Sequence, residues 1–248
     1  MSVNLCIDWG NSSVKAAMFG DNDELLEQRR FTEDNSREGI LAMISEYKPV
    51  KGILCSVSDK SAAIEPMLKE NMRALVVMTN NTPLPIMNAY TSPGTLGVDR
   101  VAMAVGVFMA NPGMNNLVVC MGTCITYNFI QKNKTFRGGA ISPGMYMRLK
   151  AMHHFTDRLP DVSPEGDLLL LGYDTETCMR SGTIFGIAAE VDGMISEYAA
   201  QYPDFNAVLT GGDAPFFEGK LKSKIFADPN LLMKGLNIIL KHNAPHIR

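Results

Sequence analysis

Apolar residues in the first half fall in short runs broken by polar turns, a strand pattern rather than that of long helices. Val3–Asp8, Val14–Phe19 and Leu25–Phe31 predict three consecutive strands. The polar stretch Thr32 to Glu38 leads into a predicted helix over Gly39–Tyr47, apolar at Ile40, Leu41, Ile44 and Tyr47. Gly52–Val57 predicts a buried strand running out through Ser56 and Ser58. Asp59 to Asn71 reads as a helix with Asp59 as N-cap, and Ala74–Met78 as another short strand. A helical run follows over Val101–Met109.

The second half opens the same way. Leu117–Met121 is an apolar run that reaches Gly122-Thr123, and Ile125–Ile130 is the next. Gln131 to Lys134 turns the chain into Phe136–Ile141. Helices are expected over Pro143–Phe155 and Thr175–Tyr198, then a strand at Ala207–Leu209, the turn Thr210-Gly211-Gly212-Asp213 and a closing helix near Leu231–Lys241. Apolar run, glycine-hydroxyl turn, second apolar run: the shared opening reads as an internal duplication. The Asn-, Gly- and Pro-rich stretch Asn111 to Asn116 marks the boundary, giving halves of 1–114 and 115–248. Antiparallel openings followed by alternating strands and helices predict the α/β class, with mixed sheets and a ligand cleft between the halves.

Composition narrows the function classes. The chain has 248 residues, 46% hydrophobic and 20% charged, as expected of a globular protein. A net charge of −3 without a basic stripe gives nucleic-acid binding little support. Runs such as Leu168 to Leu171 are far too short to span a bilayer, and the N-terminus does not read as a signal peptide, so a cytoplasmic protein is expected. Five widely spaced cysteines (Cys6, Cys55, Cys120, Cys124 and Cys178) read as buried free thiols rather than a disulfide or zinc framework. His153-His154 reads as surface or packing histidines. The seventeen methionines are expected mainly to fill core gaps.

The candidate chemistry lies at turns. In Asp8-Trp9-Gly10-Asn11-Ser12-Ser13-Val14-Lys15 a carboxylate, a glycine, amide and hydroxyl groups and a lysine follow a strand. That order suits a turn holding a metal-bound polyphosphate: N–H groups of Asn11, Ser12 and Ser13 on phosphate oxygens, Lys15 as a point charge, Asp8 on Mg²⁺. An ordinary hairpin turn fits the segment equally well. Gly122-Thr123 offers backbone N–H groups and a hydroxyl to phosphate, and Gly211-Gly212 would let an adenosine lie close to the backbone. Gly97-Val98-Asp99-Arg100 sets an acid beside a base ahead of a helix. Asp99 could accept a hydroxyl proton and Arg100 could hold a carboxylate; the plainer alternative is Asp99 as an N-cap with Arg100 in solvent.

Asp8-Trp9-Gly10-Asn11-Ser12, Gly97-Val98-Asp99-Arg100, Gly122-Thr123, Gly139-Ala140-Ile141-Ser142-Pro143-Gly144 and Thr210-Gly211-Gly212 together resemble the ordered motifs of the type III pantothenate kinases. These belong to the acetate and sugar kinase/Hsp70/actin superfamily. The resemblance runs from about residue 3 to about residue 240. It implies two actin-like (RNase H-like) halves, each a mixed five-stranded sheet with helices. It implies ATP-dependent phosphorylation of pantothenate, with Asp8 to Lys15 on the ATP phosphates and Mg²⁺. Asp99 would be the proton acceptor. Tyr90, Gly97, Val98, Asp99, Arg100 and Thr175 would bind the substrate, and Gly122, Thr123, Gly211 and Gly212 the nucleotide. It also implies a homodimer, with the substrate pocket near the subunit interface, and a monovalent cation, K⁺ or NH₄⁺.

One departure bears on that cation. The family's second phosphate motif reads Asp-x-Gly-Thr, its Asp a ligand for the ion; here the position is Cys120, and Asn128 stands where another Asp is frequent. A neutral thiol is a poor ligand for a hard cation, so weak or no potassium stimulation is expected. The loss of two acids keeps two other readings open: a nucleotide-binding regulatory relative without turnover, of the transcription accessory type, and a superfamily kinase for another small hydroxylated substrate.

Overall fold

The computed structural model describes residues 2–56 and 59–244. Val57 and Ser58, where the fourth strand was expected to end, lie outside the described residues. The chain divides into two compact units. The first holds the described residues up to Pro112, Lys134–Phe136 and those from Asn230 onward; the second holds Gly113–Asn133 and Arg137–Pro229. The division is therefore not a single cut near residue 114, because the closing helix returns to the first unit.

In the first unit β1 (Asn4–Trp9), β2 (Val14–Phe19), β3 (Leu25–Phe31), β4 (Lys51–Ser56) and β5 (Ala74–Val77) form a sheet of order β3-β2-β1-β4-β5. β1 is antiparallel to β2 and parallel to β4. Alternation sorts the side chains by face. Leu5, Ile7 and Trp9 of β1 join Val14, Ala16, Met18 and Leu54 in a core with α1 (Glu33–Tyr47) and α2 (Glu65–Asn71). Asn4, Cys6 and Asp8 alternate with them, and Asn4 meets α7 (Leu231–Asn243) through a bond to Asn237 Oδ1 of 2.8 Å.

α3 (Val98–Ala110) packs closely on α7 where two glycines cross. A Cβ on Gly235 would collide with the Ala102 carbonyl oxygen, and one on Gly106 would press on Leu231 and Gly235. The first unit also holds β6 (Met87–Asn88), which pairs with Thr135-Phe136.

The second unit repeats the topology. β7 (Asn115–Met121), β8 (Cys124–Ile130), β9 (Thr135–Pro143), β10 (Phe205–Thr210) and β11 (Phe226–Ala227) run in the order β11-β10-β7-β8-β9, to which β6 adds a short sixth strand. β7 is antiparallel to β8 and parallel to β10. Leu117, Val119, Met121, Ile125, Tyr127 and Phe129 face Ile184, Ile187 and Val191 of α5 (Thr175–Gln201). An Asp174–Thr177 capping box starts α5. α4 (Met145–His154) and α6 (Ala214–Glu218) complete the unit. The mixed α/β class expected from the sequence, in two duplicated halves, is the class observed.

Several boundaries moved for local reasons. The polar stretch after Thr32 is itself the first turns of α1, whose N-terminal Glu33 and Asp34 suit a helix start. The helix expected over Asp59–Asn71 is broken into a 3-10 turn, Asp59–Ala63, and α2 with Pro66 in its first turn. β6, β11 and α6 have too few residues to produce a periodic signal. Of the cysteines only Cys6 and Cys55 are buried; Cys120 and Cys124 are half-buried and Cys178 is exposed. Core filling holds for many methionines, whereas Met87 and Met109 are about half exposed.

The glycine crossing gives a stability test. Gly235→Ala should cost about 1–3 kcal/mol by forcing α7 off α3, read as a lower midpoint in chemical denaturation; an unchanged midpoint would show the crossing to be loose.

Candidate active site

The first turn is a hairpin between β1 and β2. Asp8 pairs with Lys15 and Trp9 with Val14 across β1 and β2, and Gly10 N–H donates to the Ser13 carbonyl at 3.1 Å. The turn therefore presents Asn11 and Ser12 to solvent. Arg30 Nε donates to Ser13 Oγ at 3.0 Å, fastening its far side to β3.

Asp8 is the electrostatic centre of the first unit. Its parallel partner on β4 is Cys55, fully buried, so the strand end is an apolar setting for charge. Burial pushes the Asp8 carboxyl up to about 7; Lys15 opposes the rise and Asp99 adds to it. Asp99 is raised as well, chiefly by burial, against the pull of Arg100 and its own helix amides. Burial lifts the Cys55 thiol well above its ordinary value, with Asp8 and Asp99 adding to it. The structure thus gathers Asp8, Lys15 and Asp99, which are far apart in sequence, into one interacting group.

Gly97, not Asp99, is the N-cap of α3; Asp99 lies in its first turn. Arg100 is not solvated: it is 5% exposed, with its guanidinium carbon 6.0 Å from the centre of the Tyr90 ring. Tyr90 in turn stacks on Phe136 at 6.5 Å. Burial against an aromatic face rules out the plainer alternative of a solvent-facing Arg100 and joins Tyr90 to the Gly97–Arg100 segment. Val98 is buried.

The other two turns are neighbours in the second unit. β7 and β10 are parallel, with Cys120 opposite Thr210, so Gly122-Thr123 and Gly211-Gly212 leave the sheet side by side at strand carboxyl ends. Open α/β sheets bind ligands at such ends. Gly211 has φ +103°, and a side chain there would strike the Met121 backbone. Asp213 N–H donates to the Met121 carbonyl at 3.0 Å, tying the two turns together.

Cys120 shares its face with Thr126, its register partner, and Asn128. Asn128 is fully buried and donates to Thr126 Oγ1 at 3.0 Å. These three side chains carry no acid. Thr175 opens α5 and is exposed. His153 and His154 are exposed, as expected of surface histidines. Among the described residues no group of three or more His, Cys, Asp or Glu side chains is arranged to hold a metal ion.

Sequence reasoning missed Cys55 as the neighbour of Asp8, which strand alternation alone could not register. It also missed Glu190, which accepts hydrogen bonds from Tyr127 Oη at 2.8 Å and Ser142 Oγ at 2.5 Å and pairs with Arg148. Ser142 stood in a quoted motif, but nothing in its spacing pointed to an acid 48 residues later.

The model of the type III pantothenate kinase family matches residues 4–197. A type III pantothenate kinase of Phocaeicola vulgatus is 43% identical over 241 residues, covering 97% of this chain and 99% of its own. One from Bacteroides fragilis is 42% identical, covering 99% and 100%. Among solved structures, a Baf family transcriptional activator from Campylobacter jejuni superimposes with a TM-score of 0.61 at 21% identity, covering 97% of this chain and 99% of its own. The ADPNP-bound activator of 2-hydroxyisocaproyl-CoA dehydratase from Clostridium difficile does so at 0.53 and 11%, covering 97% and 94%. These two are similar in fold.

The raised Asp8 carboxyl predicts a pH-dependent stability. Its folded value, about 7, lies above the ordinary 3.8, so the fold favours the neutral form. That stabilisation is complete below about pH 4 and is lost as pH rises through 7. Asp8→Asn, which keeps the neutral form, should therefore stabilise the ligand-free protein at pH 8 by about 1 kcal/mol or more, with little effect at pH 4. Thermal melts at both values check this; a variant less stable than wild type at pH 8 contradicts it.

Proposed function

Because the chain belongs to the type III pantothenate kinase family, we propose that it transfers the γ-phosphoryl group of ATP to the primary hydroxyl of pantothenate, the first step towards coenzyme A. The observation that carries this reading is the Asp8–Lys15–Asp99 group beside Arg100 and Tyr90. It brings the turn that would hold phosphate and an acid with a raised pKa within electrostatic reach of each other.

Each residue then has a physical task. N–H groups of Asn11, Ser12 and Ser13, with Lys15, take phosphate oxygens, as do the Thr123 N–H and hydroxyl; Gly122, whose own N–H donates to the Cys124 carbonyl at 3.1 Å, shapes that turn, and Gly211 and Gly212 admit the adenosine. Asp8 offers the hard oxygen that Mg²⁺ prefers. Bound there, Mg²⁺ would neutralise phosphate charge. Asp99 accepts the hydroxyl proton, and its raised pKa brings it nearer the pH at which a base both exists ionised and accepts well. Arg100, buried and held over Tyr90, is stiff enough to fix the substrate carboxylate. Gly97 and Val98 set the backbone that aims this pair.

A homodimer is proposed too, with Thr175 near the subunit interface. Its support is the apolar stretch before α5: Leu170, Leu171 and Tyr173 are 80%, 86% and 69% exposed. The five free thiols suit the reducing cytoplasm. No helix among the described residues is long and apolar enough to cross a membrane. Regulation by bound nucleotide without turnover draws support from the neutral Cys120–Thr126–Asn128 face alone.

Two measurements test the proposal. Asp99→Asn should lower turnover by roughly 10²–10⁴-fold while ATP binding persists; near-normal turnover removes Asp99 as the base. Potassium should stimulate the wild type weakly or not at all, since an uncharged thiol and amide stand where acids would bind it. A strong, saturable rise in rate with potassium refutes that.

A further inference from the structure

Glu190 accepts from three different elements: Tyr127 on β8, Ser142 at the end of β9 and Arg148 on α4. Burial would raise its carboxyl, but the donations from Ser142, Arg148 and Tyr127 outweigh it and hold Glu190 below the ordinary value, hence ionised. Arg148 uses a second nitrogen, Nε, on the Pro143 carbonyl at 2.8 Å. One ion pair therefore clamps both ends of Ser142-Pro143.

The next residue touches the phosphate turn. Gly144 N–H donates to the Thr123 carbonyl at 3.1 Å, and a side chain at Gly144 would collide with the carbonyl oxygens of Gly122 and Thr123. Tyr127 lies on the strand that the same turn opens. Glu190 thus reaches Gly122-Thr123 by two routes, through Pro143-Gly144 and along β8, without being part of the turn.

We propose that Glu190 and Arg148 are positioning residues that hold the Gly122-Thr123 turn in the shape that takes nucleotide phosphate. The inference rests on the nucleotide-binding reading of that turn. A turn that donates N–H groups needs them converged before the ligand arrives, and a preformed backing supplies that convergence. An ionised acid with three donors is a stiff backing, because charge-assisted bonds are short and strong.

The test uses the full-length protein and its Glu190→Gln, Arg148→Lys and Tyr127→Phe variants. KM for ATP and for pantothenate are measured, with calorimetric binding of Mg²⁺–AMP-PNP and a thermal melt. Glu190→Gln should weaken AMP-PNP binding and raise KM for ATP by roughly tenfold, with KM for pantothenate within about twofold of wild type. Arg148→Lys keeps the charge but cannot serve both Glu190 and Pro143, and should move the same two quantities in the same direction. Unchanged nucleotide binding, or both KM values rising together with a lowered melting temperature, overturns the proposal. If Glu190→Gln does not fold, Tyr127→Phe, which removes a single donor, decides by the same split. A wild type that binds AMP-PNP but does not phosphorylate pantothenate would sink the kinase reading alone, and the binding shift would still judge Glu190.

Discussion

Keeping a carboxylate at the end of a buried central strand is the constraint on which the first unit depends. Asp8 follows Leu5 and Ile7 on β1 and lies beside the buried Cys55 on β4. Charge there is costly, and its pKa near 7 records that cost. The fold offsets it with Lys15, placed opposite by a hairpin of fixed register. Asp99 works against the offset, since it adds a second acid to the same surroundings. Two acids held together are destabilising in an empty protein and useful to one that binds a cation and phosphates. The arrangement is therefore better explained by ligand binding than by stability.

The glycines solve a complementary problem of distance. α3 must lie close enough to the sheet for Asp99 to sense Asp8, and α7 must cross it closely at Gly106 and Gly235. That close crossing makes the last helix part of the first unit although more than a hundred residues separate the two helices in sequence. It also aims the first turn of α3, where Gly97 caps the helix and Arg100 is pressed over Tyr90. Packing, turn geometry and site chemistry are thus one problem in this unit.

Most of the architecture was legible because it rests on local pattern. The strands Val14–Phe19 and Leu25–Phe31 were read to the residue from alternation and turn residues. The repeated opening announced the duplication that the strand orders display. The family motifs named the turn residues and Asp99. Other features depend on pairing over long separations. A solvated Arg100 stayed open as an alternative because its burial depends on Tyr90 and Phe136, which no local period includes. Cys55 beside Asp8 and Glu190 beneath Ser142 arise only once strands and helices are laid together.

The duplication exposes an asymmetry in the chemistry. Asp8-Trp9-Gly10 of β1 and Cys120-Met121-Gly122 of β7 occupy matching places, each with an antiparallel and a parallel partner. The partners of Asp8 are Lys15 and Cys55; those of Cys120 are Thr126 and Thr210. One strand end therefore carries an acid with a lysine opposite and its counterpart only neutral groups. Glu190, an acid of the second unit, accepts from Tyr127 and Ser142 instead of presenting a charge at that strand end. On the proposed kinase reading, metal affinity then falls to the first unit, while the second contributes backbone donors whose quality depends on rigidity. Such a division makes the shape of the Gly122-Thr123 turn, rather than any ionisable group on it, the property that selection on nucleotide binding would have to maintain.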